Sequence, residues 1–198
     1  MTDAQLLPAF SDPVHATQRV FRNALNALSE PGLIQTISDA PGLDRLAPAT
    51  YALCLCLLDG DTPLWLSPSL DTPGLRANLA FHCGCPIVEA PAQAAFAILD
   101  GGSPGALSVF SPGTDRDPHL SCTVFIQLPS LQGGSPMSWQ GPGILGKRTT
   151  QLPMPGQIWP QRAAQAFPKG YDLFITAGCE LVGLPRSTRV SPMIQEVV

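Results

Sequence analysis

The sequence predicts an α/β fold built on a mixed sheet, and three observations predict it. Helical and strand-like patterns alternate along the chain instead of falling into separate blocks, the order that layers helices against one sheet. Residues 122–128 (CTVFIQL) combine β-branched and aromatic side chains in a short apolar run, the composition of a buried strand. Residues 172–177 and 180–184 are parted only by Gly178-Cys179, close enough for a hairpin, so some antiparallel pairing is expected beside any parallel pairing.

In chain order, the first element is a helix over residues 13–30. Ser11 or Asp12 can cap it, and Pro13 suits its first turn, where the missing N–H costs nothing. Val14, Thr17, Phe21, Ala24, Leu25 and Leu28 recur at helical spacing and predict the buried face, with Arg19, Arg22, Asn26 and Glu30 outside it. Pro31-Gly32 ends the helix. Residues 33–37 alternate as a short strand. Residues 47–58 are apolar almost throughout and predict a buried helix stopped by Asp59-Gly60-Asp61. Residues 63–67 (PLWLS) form a brief strand. Residues 72–82 read as an amphipathic helix with Leu75, Leu79 and Ala80 inward and Arg76 outward. Residues 94–99 predict a strand closed by Asp100-Gly101-Gly102. Residues 101–119 predict a surface connection with a short strand over 107–110, and residues 129–157 are broken by Pro and Gly. Residues 157–167 can form a helix if Pro160 sits in its first turn.

With 198 residues the chain suffices for one domain over 1–198, with residues 1–12 a loosely ordered N-terminal segment. Gly and Pro are abundant, 18 and 22, yet apolar runs persist between them, so the excess marks loops and not disorder. The net charge is −4 and the eleven basic residues are dispersed, which excludes a stripe for tracking nucleic acid. Neither a signal peptide nor an apolar run long enough for a membrane span is present, so a cytoplasmic protein with six reduced cysteines is expected.

Four local patterns bear on chemistry. Residues 141–148 (GPGILGKR) fit G-x-G-x-x-G, and fit G-x-x-x-x-G-K up to its last position, where Arg148 replaces the magnesium-binding hydroxyl. A phosphate loop also needs a helix to follow, and Pro153 and Pro155 oppose one, so a turn between short strands is the expected reading. Cys54-x-Cys56 lies in an apolar run where cysteine acts as a small hydrophobe. His82-Cys83-Gly84-Cys85 is a better metal candidate, although no fourth ligand stands out; for His82 a hydrogen-bonded core histidine is the competing reading. Arg186-Ser187-Thr188-Arg189 offers two guanidiniums and two hydroxyls, a composition suited to clamping an anion. If that stretch is extended, Arg186 and Arg189 point to opposite sides; a solvated strand end is the alternative.

Taken in order, Gln18-x-x-Phe21-Arg22, Ser29-Glu30-Pro31-Gly32, Asp61-Thr62-Pro63-x-Trp65-Leu66-Ser67, Phe81-His82, Gly141-Pro142-Gly143-Ile144, residues 167–173 (FPKGYDL), Thr176-x-Gly178 and Pro185-Arg186-x-Thr188 resemble the PhnH family along nearly the whole chain. The resemblance implies the H subunit of the carbon–phosphorus lyase system, working with the G, I, J and L proteins. Their early step exchanges the adenine of ATP for an alkylphosphonate, giving a ribose 1-alkylphosphonate 5-triphosphate during phosphonate catabolism. It implies a three-layer α/β/α fold similar to the large domain of pyridoxal-phosphate-dependent transferases, and a homodimer when isolated.

The cofactor does not follow from that fold. A pyridoxal enzyme needs a Schiff-base lysine; of the two lysines, Lys169 takes the variable position of the stretch similar to F-P-x-G-x-D, and Lys147 follows the glycine turn outside the positions that recur in the resemblance. The expectation is therefore an accessory subunit without cofactor, nucleic acid or membrane partner. The alternative is a subunit that holds a triphosphate or phosphonate through an arginine site. Arg22, Glu30, His82, Asp172, Arg186 and Arg189 are the candidate anion or interface residues, with no catalytic residue assigned.

Overall fold

The computed structural model describes residues 5–193. Residues 1–4 of the N-terminal segment lie outside the described residues. From Gln5 onward that segment lies along a helix, α3 (Pro73–Cys83): the Leu7 N–H donates to Asn78 Oδ1 at 2.7 Å, and Asn78 Nδ2 donates to the Gln5 carbonyl at 3.0 Å. Ala80, expected inward, is exposed on α3, and Asn78 takes the buried place because it holds this segment.

The centre of the fold is a six-stranded mixed sheet in the order β1-β8-β7-β4-β3-β2. Its strands are β1 (Gln35–Thr36), β2 (Leu64–Leu66), β3 (Phe96–Asp100), β4 (Thr123–Gln127), β7 (Leu173–Ala177) and β8 (Glu180–Leu184). Four neighbours, β2, β3, β4 and β7, run parallel. The β7–β8 hairpin and β1 add the expected antiparallel pairs, with Ala177 opposite Glu180 at the turn.

Parallel strands need long crossovers, and these cover the two faces unequally. One face carries α1 (Pro13–Ser29), α2 (Pro48–Leu57) and α3, packed on Ile98, Phe125, Phe174 and Leu181. The other receives the alternate residues Leu99, Val124, Ile126, Ile175 and Val182. The expected second helical layer is mostly absent there. A three-stranded antiparallel sheet of β5 (Met137–Gln140), β6 (Arg148–Thr150) and β9 (Arg189–Pro192), ordered β6-β5-β9, lies over that face with the short α4 (Ile158–Ala163). The crossovers on this side are rich in Pro and Gly, which stop helices and leave room for short strands and single turns. For the same reason residues 107–109, expected extended, form a 3-10 turn.

Gln127 couples sheet and helix. Its side-chain carbonyl accepts from the Ala47 N–H at 2.7 Å and from Thr50 Oγ1 at 2.8 Å, capping the start of α2, which has no side-chain cap of its own.

The buried face of α1 is not the one its large side chains predict. Ala16, Val20, Ala24 and Ala27 are buried, whereas Val14, Phe21 and Leu25 are 76%, 51% and 55% exposed. The cause is Gly183 on β8: a Cβ there would stand 2.5 Å from the Ala27 backbone. The helix lies so close to the sheet that only small residues fit between them, and the large apolar stripe turns outward. No helix of the described residues is long and apolar enough to cross a membrane.

Candidate functional site

The chain between β8 and β9 turns at residues 185–188, where the Thr188 N–H bonds the Pro185 carbonyl at 2.9 Å. Arg186 projects from this turn into a network that uses every guanidinium nitrogen. Its Nε donates to Asp172 Oδ2 at 3.0 Å, one terminal nitrogen to the Pro118 carbonyl at 2.6 Å, and the other to Asp172 Oδ2 and Ser121 Oγ. The Arg186 backbone N–H also donates to Asp172 Oδ1 at 2.7 Å. Asp172 precedes β7 and Ser121 precedes β4, so Arg186 ties the β8–β9 turn to the amino ends of two central strands.

The other residues singled out from sequence lie apart. Arg22 and Glu30 are exposed on and just after α1. The Glu30 carbonyl accepts from Arg148, as does that of Pro31. His82 sits near the end of α3 with Nε2 2.9 Å from the Leu7 carbonyl. Only Arg189, three residues past Arg186, joins the same region, where it is exposed. The structure thus brings together Asp172, Arg186 and Arg189, and places Arg22, Glu30 and His82 elsewhere.

Beside the network opens a cleft of about 640 Å³ between α4, the 185–190 segment and the tip of the β5–β6 hairpin at Pro142. A residue that the sequence reading passed over lies in its wall: Arg162 of α4, only 8% exposed. Arg162 donates one hydrogen bond to the Thr188 carbonyl at 2.8 Å and another to that of Pro185. Its Nε has no partner, and it forms no ion pair with a carboxylate among the described residues. Burial pushes its pKa down to about 10, opposed by the charge of Asp172, and it remains a cation at neutral pH. Thr188 Oγ1, also in the wall and buried, has no partner either. The available signal was positional: Arg162 follows Ile158 by four residues, and both are buried on one face of α4.

The remaining motifs resolve into packing. Residues 141–147 are the connection of the antiparallel β5–β6 hairpin, and a strand, not a helix, follows them. Gly143 has φ +79°, and a Cβ on it would stand 1.9 Å from the Ser29 carbonyl oxygen, so this glycine lets the hairpin meet the end of α1. All six cysteines are free thiols. Burial pushes Cys54 upward, out of the range of a reactive thiolate. Among the described residues no three His, Cys, Asp or Glu side chains converge as metal ligands. Lys147 is exposed, and Lys169 reaches Asp115 at 3.3 Å on a loop. Neither lines the cleft, so the lysines do not fit a pyridoxal Schiff base there.

Comparison with known proteins covers both sheet faces and the entire cleft. The family described as bacterial phosphonate metabolism protein (PhnH) matches residues 8–191. A Rhizobium meliloti (strain 1021) protein named alpha-D-ribose 1-methylphosphonate 5-triphosphate synthase subunit PhnH is 35% identical over 189 residues, covering 92% of this chain and 94% of that protein. A Stutzerimonas stutzeri protein named putative C-P lyase subunit protein HtxG is 29% identical over 181 residues, 88% of this chain and 85% of that protein. On a match of this extent, the chain belongs to the PhnH family of bacterial phosphonate metabolism proteins.

Proposed function

We propose that this chain is an accessory subunit of a carbon–phosphorus lyase assembly, required for making a ribose 1-alkylphosphonate 5-triphosphate from ATP and an alkylphosphonate in the cytoplasm. The relatives named as subunits of such systems support the assignment. The structural observation that carries it is the outer face of α1. Val14, Phe21 and Leu25 fall on one stripe of the helix, and their exposure places large apolar side chains in water. A helix already seated on the sheet by its small residues has no intramolecular use for that stripe. Its burial by another subunit, or by a second copy of the chain when partners are absent, accounts for it.

On this reading the protein is a single domain whose contribution is to complete or stabilise an assembly, and its partners are the G, I, J and L proteins of the same system. The likeness to the large domain of pyridoxal-phosphate-dependent transferases concerns the scaffold: a mixed sheet with helices on one face. Arg186 serves that scaffold as well, since Asp172, Ser121 and the Pro118 carbonyl occupy its donors.

The test is co-expression of the tagged chain with untagged G, I and J partners from the same source, with the product weighed by size-exclusion light scattering. A stoichiometric complex is expected. If the partners assemble fully and carry out nucleoside exchange without this chain, the accessory-subunit reading fails.

A further inference from the structure

Four of the six cysteines gather in the core between α2 and α3. Cys54 and Cys56 stand on α2, while Cys83 ends α3 and Cys85 follows it. Cys54 is fully buried. The Cys56 thiol is engaged with the Thr17 carbonyl at 3.5 Å, and burial pushes its pKa up to about 11. Both α2 thiols are thereby kept in the unreactive, protonated form.

Cys83 and Cys85 differ because of the residue between them. Gly84 caps α3 in the left-handed region, φ +68° and ψ +5°, with its N–H on the Ala80 carbonyl at 3.1 Å. Helix-like backbone angles bring the two flanking Cα atoms to about 5.5 Å, inside the span of a disulfide, whereas an extended residue would hold them near its limit of roughly 7 Å. Across this turn the Cys83 thiol hydrogen-bonds the Cys85 sulfur, which draws Cys85 below the ordinary thiol value and raises Cys83. One proton is shared by two sulfurs. Access to them is unequal. Cys85 is 3% exposed, whereas Cys83 is half-buried and beside it Gly84 is open, with nothing within 4 Å of where a Cβ would stand. A small reagent reaches the first sulfur and not the second.

We propose that Cys83 and Cys85 form a thiol–disulfide exchange site that takes a small organic disulfide as its oxidant. Cys83 attacks one sulfur of the reagent. The reagent's S–S bond breaks, and one half leaves as a thiolate that takes up the Cys83 proton. The other half stays on Cys83 as a mixed disulfide. Cys85 then attacks the Cys83 sulfur, and the second half leaves with the Cys85 proton. The two cysteines lose two electrons and two protons, and the reagent gains both as two thiols. The bond closes at the joint between α3 and the edge of the central sheet. There the Leu64 N–H donates to the Pro86 carbonyl at 2.8 Å and the Val88 N–H to the Leu64 carbonyl at 2.8 Å. A ring this small is strained, so a dithiol reopens it readily.

The experiment treats the reduced full chain with oxidised glutathione, blocks remaining thiols with iodoacetamide after denaturation, and maps the peptides by mass spectrometry. In the wild type a bond between Cys83 and Cys85 is expected, reversed by dithiothreitol, with Cys54 and Cys122 recovered as alkylated thiols. Cys85→Ala is expected to stop with glutathione on Cys83, because no second sulfur is there to release it. In Cys83→Ser, modification of Cys85 is expected to be at least about tenfold slower than closure in the wild type, because the reagent must reach a buried sulfur directly. Circular dichroism checks that both variants fold, and the wild-type map stands without them. Absence of the bond in the wild type would overturn the proposal. So would a bond from either residue to another cysteine, or Cys85 reacting in Cys83→Ser as fast as closure in the wild type.

Discussion

Asp172 grips Arg186 at both ends of the residue: one carboxylate oxygen takes the backbone N–H at 2.7 Å and the other takes the guanidinium Nε at 3.0 Å. A single carboxylate thereby sets both the path of the chain leaving β8 and the direction of the side chain. A fork whose nitrogens all have protein partners is a structural clamp, which separates Arg186 from its neighbours in the cleft.

Removing that clamp should act on stability first. Arg186→Ala leaves the Asp172 carboxylate partly buried without its cation and frees the 118–121 loop. A loss of about 2–3 kcal/mol is expected, an unfolding midpoint lower by roughly 5–10 °C. Arg186→Lys should recover little, because an ammonium cannot reproduce the fork. Differential scanning calorimetry of the two variants checks this; a midpoint within about 1 °C of wild type for Arg186→Ala would show that the clamp is dispensable.

The glycine-rich hairpin tip invites a paired comparison. Gly143 and Gly146 both have positive φ, +79° and +70°, but a Cβ meets the Ser29 carbonyl only at Gly143. Gly146→Ala should cost about 1 kcal/mol from backbone strain alone, and Gly143→Ala at least about 3 kcal/mol, because the hairpin must lift from α1. Urea unfolding midpoints separate the two. Equal losses would remove packing as the reason for Gly143.

Close approach of α1 to the sheet makes Gly183 similarly exacting. Gly183→Ala is expected to destabilise by about 2–3 kcal/mol, since the added carbon meets backbone on α1 and no side chain can step aside. The same urea measurement decides it, with Gly178→Ala, which meets nothing within 4 Å, as the milder partner substitution.

On the outer face of the same helix the expectation reverses. Phe21→Glu or Leu25→Glu should leave the isolated chain's stability within about 0.5 kcal/mol of wild type and prevent its co-purification with partner subunits. Unimpaired co-purification of the double variant would move the docking surface away from α1.

Much of the scaffold was legible because its signals are local. The hairpin of residues 172–184, the apolar core of α2 and the capped start of α1 follow from turn chemistry, run length and capping. The face of α1 was not legible, because periodicity ranks side chains by hydrophobicity, whereas the distance to Gly183 selects them by size. Short strands on either side of the 141–147 turn were expected, and β5 and β6 stand there; their pairing with β9 into a separate sheet escaped because each strand is three or four residues long and β9 is distant in sequence. In the cleft, residue type pointed to Arg186 and Arg189, but which arginine is consumed and which is unspent depends on partners distant in sequence: Pro118 and Ser121 for one, the turn at 185–188 for Arg162.

The strands at the borders of the central sheet are two residues long at β1 and three at β2. An edge this short offers almost no row of free N–H and C=O groups for a visiting strand to pair with. The central sheet therefore cannot grow by strand addition, whether into a larger sheet shared with another protein or into an aggregate seeded there. Association has to be read out through side chains, and specificity in choosing a neighbour becomes a matter of shape fitted to shape instead of a generic backbone ladder open to any extended peptide.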